Sequence, residues 1–418
     1  MKTIATQVDD TTQYMREKIA AENATVGTGL DGYFYRSHLV YERELSALVY
    51  RSWIYACHSS ELENAGDYVQ LEIDEDAFII SRDADGGIHA MVNVCRHRGA
   101  RVCEAKSGNV RTFVCPYHGW VYNTDGSLRA ARHVEAYDTF EPEKLGLKKL
   151  QVEVFEGLVF INCDLEGESF GGPLENIRRQ LGAYNFASAK IAHRHVYQVD
   201  ANWKFCVENY MECYHCATSH RAYARMHSLA DPSEIGRPAV EAMLAKTEEI
   251  TGVKGIGDYH FKTYSDAESF GACCYHSRYA LYGDGLTGSE DGKSVAPLMG
   301  NIRGYDGGVG CFQMGPLTFM LNYPDHGVLY RFIPRGLTAT DMEVIWFVNG
   351  DAVEGVDYDV DRLIWLWNRT SLEDEYIITR NSEGVNSRFF KPGPLHPEFE
   401  SWVVGFNKWY IHSLGHAS

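Results

Sequence analysis

Residues 95–118 read CRHRGARVCEAKSGNVRTFVCPYH. Four side chains of metal-binding type stand in this stretch: Cys95 and His97 as C-x-H, then Cys115 and His118 as C-x2-H after 17 intervening residues. Two thiolates and two imidazoles can hold one tetrahedral zinc or one two-iron cluster. Zinc fingers gather paired cysteines in one knuckle and paired histidines elsewhere. Here each short loop carries one cysteine and one histidine. That suits a [2Fe–2S] cluster with thiolates on one iron and imidazoles on the other. Gly99 and Gly119 let the backbone come close, and Pro116 stiffens the second loop. Cys103 breaks the pattern and reads as a core residue.

Around this stretch, residues 54–162 alternate as short strands. GDYVQLEI, AFIISRD, IHAMVNV and VEVFEGLVFINCD are separated by DADGG, KSGN and NTDGS. These are hairpin signals and predict an antiparallel β domain over 54–162. Residues 1–53 read as a helical N-terminal segment packing on the catalytic domain. ESFGGP at 168–173 looks like a connection. From 163 to 418 strands such as LTFMLNY, GVLYRFIP and MEVIWFVNG mix with a late helix beginning DVDRLIWLWN, which predicts a second, α+β domain. The spacing of residues 202–217, NWKFCVENYMECYHCA, predicts one further helix.

Length and charge narrow the function. The 418 residues suffice for two or three domains with real cores. The formal net charge of -18 argues against nucleic acid and favours a neutral or cationic partner. No apolar run reaches the roughly 18–20 residues that span a bilayer, and the N-terminus lacks the apolar stretch of a signal peptide. The expected place is the cytoplasm, with no membrane contact. Eleven cysteines there point away from a disulfide framework.

The second stretch with chemistry is ENYMECYHCATSH, residues 208–220. A zinc knuckle would use Cys213 and Cys216, but His215 lies between them on one turn. On a continuous helix Glu208, Glu212 and His215 share a face, and His220 joins them only where the helix breaks. A facial triad of two imidazoles and one carboxylate holds iron(II) and leaves positions open. His215 and His220 would be the imidazoles, and the carboxylate must come from elsewhere in the chain.

Together, CRHRG with CPYHGW and ENYMECYH with its following histidine resemble the Rieske non-haem iron oxygenases. The resemblance covers most of the chain. It implies that Cys95 and Cys115 hold one iron of a [2Fe–2S] Rieske cluster and His97 and His118 the other. It implies a mononuclear Fe(II) on His215, His220 and Asp374, which lies on the late helix with Glu373 and Glu375 as rivals. Glu212 becomes a bridge from His215 to a neighbouring copy's His118. Glu208 stands where many relatives have asparagine near the iron, which suggests a proton relay or a structural role. The implied fold is a Rieske β domain plus a helix-grip-like catalytic domain of curved antiparallel sheet, in a head-to-tail homotrimer. No Rossmann glycine fingerprint is present, so NADH is expected to be oxidised by a separate flavin/iron–sulfur reductase.

ECYHC, LMGNIRGYDGG, DAVEGVDYDVDRL and FFKPGP further resemble glycine betaine and proline betaine demethylases. The resemblance implies O2-dependent hydroxylation of an N-methyl group of a quaternary ammonium betaine, with release of formaldehyde. The alternative is dioxygenation of an aromatic ring; a Rieske electron carrier is a third reading, opposed by the His215/His220 pair. A quaternary ammonium is best held by aromatic faces. Tyr259, Phe261, Phe270, Tyr275, Phe319 and Tyr323 are the candidate lining residues.

Overall fold

The computed structural model describes residues 10–23, 27–227, 236–257 and 273–416. They form two compact units. One runs from Trp53 to Gly171, and the other joins the residues before Trp53 to those from Gly172 onward.

The first unit is built of short antiparallel strands. β1 (Ile54–His58), β2 (Asp67–Ile73), β3 (Asp76–Arg82), β4 (Ile88–Val92) and β5 (Ser107–Asn109) precede the second ligand loop. β6 (Phe113–Val114), β7 (Val121–Tyr122) and β8 (Leu128–Ala130) flank it, and β9 (Gln151–Phe155) and β10 (Leu158–Asn162) close the unit. They make three sheets, ordered β4-β3-β2-β5, β6-β7-β8 and β1-β10-β9. In β2 the side chains of Leu71 and Ile73 are buried while Gln70 and Glu72 are partly exposed, the period of two that a one-sided strand needs. Ile73 pairs with Asp76 across a two-residue turn, which Asp74 enters at φ 51°. The core contains Tyr68, Ile79, Met91, Phe113, Trp120 and Tyr122 together with the thiols of Cys95 and Cys115. Cys103 packs partly buried against that core.

The second unit carries one six-stranded antiparallel sheet. Its strands are β11 (Ala189–Val199), β12 (Cys274–Ala280), β13 (Gly308–Met314), β14 (Thr318–Asn322), β15 (Gly327–Gly336) and β16 (Ala339–Asn349). Their order is β11-β16-β15-β14-β13-β12. A helix over Val360–Val385 packs on β11. Asp359 starts it by accepting from the Arg362 N–H at 3.0 Å. Leu363, Leu366, Trp367, Thr370, Ser371 and Ile378 form its buried stripe.

The N-terminal helices Thr12–Asn23 and His38–Ala47 pack against the C-terminal helix Ser401–His416. A buried carboxylate locks them to the helix Trp203–Tyr210. Glu44 accepts from Trp203 Nε1 at 2.9 Å, from the Tyr410 hydroxyl and from Lys204 Nζ. Both Glu44 and Lys204 are fully buried, so removing either would strand a charge at a cost of about 3–5 kcal/mol. This anchor fixes the start of the helix that leads to His215 and His220.

The single helix predicted over 202–217 is not formed. The helix ends at Tyr210, and a short one, Cys216–Ser219, follows after a turn. The cause is Glu212, whose carboxylate accepts from the N–H groups of Tyr214 and His215 and so takes donors that a continuing helix would use.

Candidate metal centres

In the β unit the two ligand loops have the same backbone pattern. Cys95 N donates to Ala100 O and Cys115 N to Trp120 O, both at 2.8 Å. Gly99 N returns to Cys95 O and Gly119 N to Cys115 O, both at 3.0 Å. The glycines sit at φ 80° and φ 74°, a left-handed conformation in which a side chain would be strained. Asn93 braces the first loop by accepting from Val102 N and Cys103 N at 2.8 and 3.0 Å.

The loops bring the four predicted side chains together. Cys95 and Cys115 are buried free thiols, and burial pushes Cys115 up. The rings of His97 and His118 meet edge to face at 4.4 Å, and His97 stacks on Trp120 at 5.1 Å. His97 Nδ1 is buried without a hydrogen-bond partner, a costly state for an imidazole nitrogen unless a metal takes it. Arg96 N donates to the Tyr122 hydroxyl at 3.1 Å, and that hydroxyl is hydrogen-bonded to Cys95 Sγ at 3.2 Å. Two buried thiols and two adjacent imidazoles on glycine-turned loops fit a [2Fe–2S] cluster.

In the second unit His215, His220 and Asp374 offer ligand atoms within 4.8 Å of one another. His215 Nε2 is 3.0 Å from His220 Nε2, and Asp374 Oδ1 lies 2.9 Å from His220 Nε2 and 3.4 Å from His215 Nε2. Each imidazole is held from behind at Nδ1: His215 by Glu212 at 2.5 Å, His220 by Glu373 at 3.0 Å. With both Nδ1 atoms engaged by carboxylates, both Nε2 atoms face Asp374. Burial opposes charge on His215, yet Asp374 and Glu212 raise it to about 9. Burial likewise opposes charge on Asp374, and the two imidazoles still hold it below its ordinary value. Two imidazoles and one carboxylate whose ligand atoms converge within 4.8 Å fit iron(II).

Of the acidic residues on the late helix, Asp374 faces both imidazoles. Glu373 turns to the outer nitrogen of His220 and to Arg369 Nε at 3.1 Å. Glu375 contacts neither ring among the described hydrogen bonds and ion pairs. Glu208 has no hydrogen bond or ion pair to the triad among those of the described residues. It accepts from the Tyr35 hydroxyl at 2.7 Å, and burial pushes its carboxyl up to about 7. The polar group beside His215 is instead Asn209, whose Nδ2 lies 3.4 Å from Nε2. The spacing of one residue from Glu208 was the available signal. Glu208, Asn209, Glu212 and His215 line a cavity of about 400 Å³.

A wall of rings adjoins the triad. His220 meets Tyr223 edge-on at 6.4 Å, and Tyr223 stacks on His227 at 4.1 Å and meets Trp367 at 5.6 Å. Trp367 also meets Tyr330, which meets Tyr210, and Tyr210 lies 4.5 Å from Phe319. Burial pushes His227 down to about 4, so it is neutral; its Nε2 accepts from the Tyr323 hydroxyl at 2.7 Å. Phe319 and Tyr323 thus belong to this group. Tyr275 packs on Trp402 at 4.5 Å instead. Tyr259, Phe261 and Phe270 lie outside the described residues. Tyr210, Tyr223, Tyr330 and Trp367 were missed in the sequence, although Tyr223 and His227 stand four apart just after His220.

Cys213 and Cys216 are neither free nor ligands: they form a disulfide, where the cysteine count argued against one. No described helix is long and apolar enough to cross a membrane.

Residues 52–141 match the Rieske [2Fe-2S] domain family and residues 186–415 the catalytic domain of the ring hydroxylating alpha subunits. The chain is 31% identical over 392 residues to the glycine betaine monooxygenase oxygenase subunit of Pseudomonas aeruginosa, covering 92% of this chain and 90% of that protein. A quaternary ammonium Rieske monooxygenase solved with L-carnitine superposes with a TM-score of 0.68 at 23% identity, over 95% of this chain and 98% of that one. Naphthalene 1,2-dioxygenase from Rhodococcus sp. gives 0.70 at 20% identity, over 97% and 99%. Structural likeness therefore does not separate the two substrate classes.

Proposed function

The chain belongs to the ring-hydroxylating α-subunit family of Rieske non-haem iron oxygenases, and on that premise we propose that it is the oxygenase component of a two-component N-demethylating monooxygenase. Its substrate is a quaternary ammonium betaine. A separate flavin/iron–sulfur reductase supplies electrons from NADH, and the working assembly is a homotrimer. Residues 54–162 form the cluster domain, and residues 163–418 with the N-terminal segment form the catalytic domain.

Cys95, His97, Cys115 and His118 would hold the [2Fe–2S] cluster, and His215, His220 and Asp374 the iron. When bound, the cluster supplies single electrons and the iron the centre at which O2 is reduced. The remaining work falls to side chains. Glu212 and Glu373 fix the tautomer and angle of the two imidazoles. Glu212 also offers its carboxylate to His118 of a neighbouring copy, a short path for the electron.

The observation that carries the substrate class is the ring wall beside the triad. A trimethylammonium cannot donate a hydrogen bond, but each suitably placed aromatic face attracts it by roughly 0.5–2 kcal/mol. Tyr210, Tyr223, Tyr330 and Trp367 with Phe319 offer such faces, and neutral His227 adds no repulsion. The net reaction consumes O2, two electrons and two protons, converts N–CH3 to N–CH2OH, and releases water. The hydroxyl then gives its proton to water, the C–N bond breaks with the electron pair left on nitrogen, and the carbon departs as formaldehyde.

A single turnover tests this. The protein is reduced, freed of reductant, and given air with one compound from a panel of betaines and arenes. Formaldehyde from one betaine is the expected result. A cis-diol from an arene, with no formaldehyde from any betaine, would overturn it.

A further inference from the structure

The two cysteines of C-Y-H-C, residues 213–216, belong to neither metal centre. They form the bridge Cys213–Cys216, with Cα atoms 4.9 Å apart, while the other nine cysteines are in no disulfide among the described residues. Those nine include the buried neighbours Cys273 and Cys274. The bridge closes the turn that contains His215. Within it Cys216 N donates to Cys213 O at 3.2 Å. Immediately after it His220 N donates to Cys216 O at 2.9 Å. Immediately before it Glu212 caps the N–H groups of Tyr214 and His215. Cys216 is buried, Cys213 is partly exposed, and Tyr214 between them is 57% exposed, so the turn reaches the surface.

We propose that Cys213 and Cys216 are a reversible dithiol–disulfide pair that sets how firmly His215 and His220 hold their metal. This rests on the reading of those histidines as iron ligands. Oxidation takes one peroxide: two thiols and H2O2 give the disulfide and two waters. Peroxide is the two-electron reduction product of O2 that forms when oxygen reduction outruns hydroxylation. Reduction runs by exchange with a dithiol protein, which leaves as its own disulfide while both cysteines regain S–H. The closed bridge removes freedom from the turn and keeps both sulfurs away from metal. The open form returns that freedom and places two soft sulfur ligands beside His215, a set that favours zinc over iron(II). The pair therefore ties metal retention to the presence of an oxidant, and the enzyme needs oxygen to work.

The holoenzyme is equilibrated in glutathione redox buffers, quenched in acid, and its thiols are labelled with maleimide for mass analysis. In parallel, iron release to ferrozine is timed, with the cluster absorption as internal reference. The expected result is a bridge that opens at reducing potential and iron release about tenfold faster when it is open. Cys213→Ala should release iron at the fast rate at every potential. Maleimide on both cysteines at every potential would overturn the proposal, as would equal iron release from the two forms. A protein that holds two irons rather than three from the outset fails differently: it removes the mononuclear site on which both readings stand.

Discussion

Glu373 holds His220 by Nδ1 at 3.0 Å, and the next residue in the chain, Asp374, faces the Nε2 of the same ring at 2.9 Å. Adjacent helix positions thus grip one imidazole from both sides. One orients the ring, and the other would share its metal.

Glu373→Gln should keep the fold and the cluster but weaken iron binding by about 10–100-fold, because the ring loses its charged partner. Iron retained against a graded chelator reads this directly. Asp374→Ala should lose the mononuclear iron altogether.

His215→Ala should take the iron content from three per chain to two and leave the visible spectrum of the cluster intact. Loss of the cluster bands instead would break the assignment of the two centres to separate ligand sets.

Glu212→Ala tests the electron path. The cluster should remain and the iron should be held about 10–100-fold more weakly, as for Glu373→Gln; with iron kept in excess, oxidation of the reduced cluster in a single turnover should still fall at least a hundredfold. Coupled turnover at the normal rate would show that the carboxylate bridges nothing.

Trp367→Leu and Tyr210→Leu should each raise KM for a trimethylammonium substrate by about 2–30-fold, the range of one cation–π contact. Binding of the neutral tert-butyl analogue, judged as a competitive inhibitor, should change less. Equal losses for both compounds would mean that the rings supply shape alone.

The Glu208 carboxyl is pushed up to about 7 by burial, against an unfolded value near 4.5. Below about pH 4.5 it is protonated in both states and costs nothing. As pH rises toward about 7 the unfolded chain ionises first, so the folded state loses stability, by about 3 kcal/mol in all. Glu208→Gln should flatten the urea midpoint against pH between about 5 and 8. An unchanged slope would place the titrating group elsewhere.

That Cys95, His97, Cys115 and His118 come together was legible in the sequence because all four lie within one stretch and its loops are local hairpins. His215 and His220 were legible for the same reason. Asp374 was harder, since 154 positions separate it from His220. The register of Leu363, Trp367, Thr370, Ser371 and Ile378 puts it on the buried stripe, and that pattern was available. The break after Tyr210 was hidden because helical spacing says nothing about a glutamate turning back onto its own backbone. The ring wall was the least legible part. Its members come from β14, β15, the late helix and the segments before Glu212 and after His220, and only the folded sheet brings them together.

The twin loops of the β unit have a consequence for biogenesis. Under the assignment proposed above, each loop gives one ligand to each iron, so neither loop can load an iron by itself. Each iron would then need both loops in place before its ligand set is complete. The inorganic core serves as a clasp between two hairpin tips. A cell short of iron or sulfide would accumulate chains whose tips are unclasped, open to proteases and unable to accept electrons.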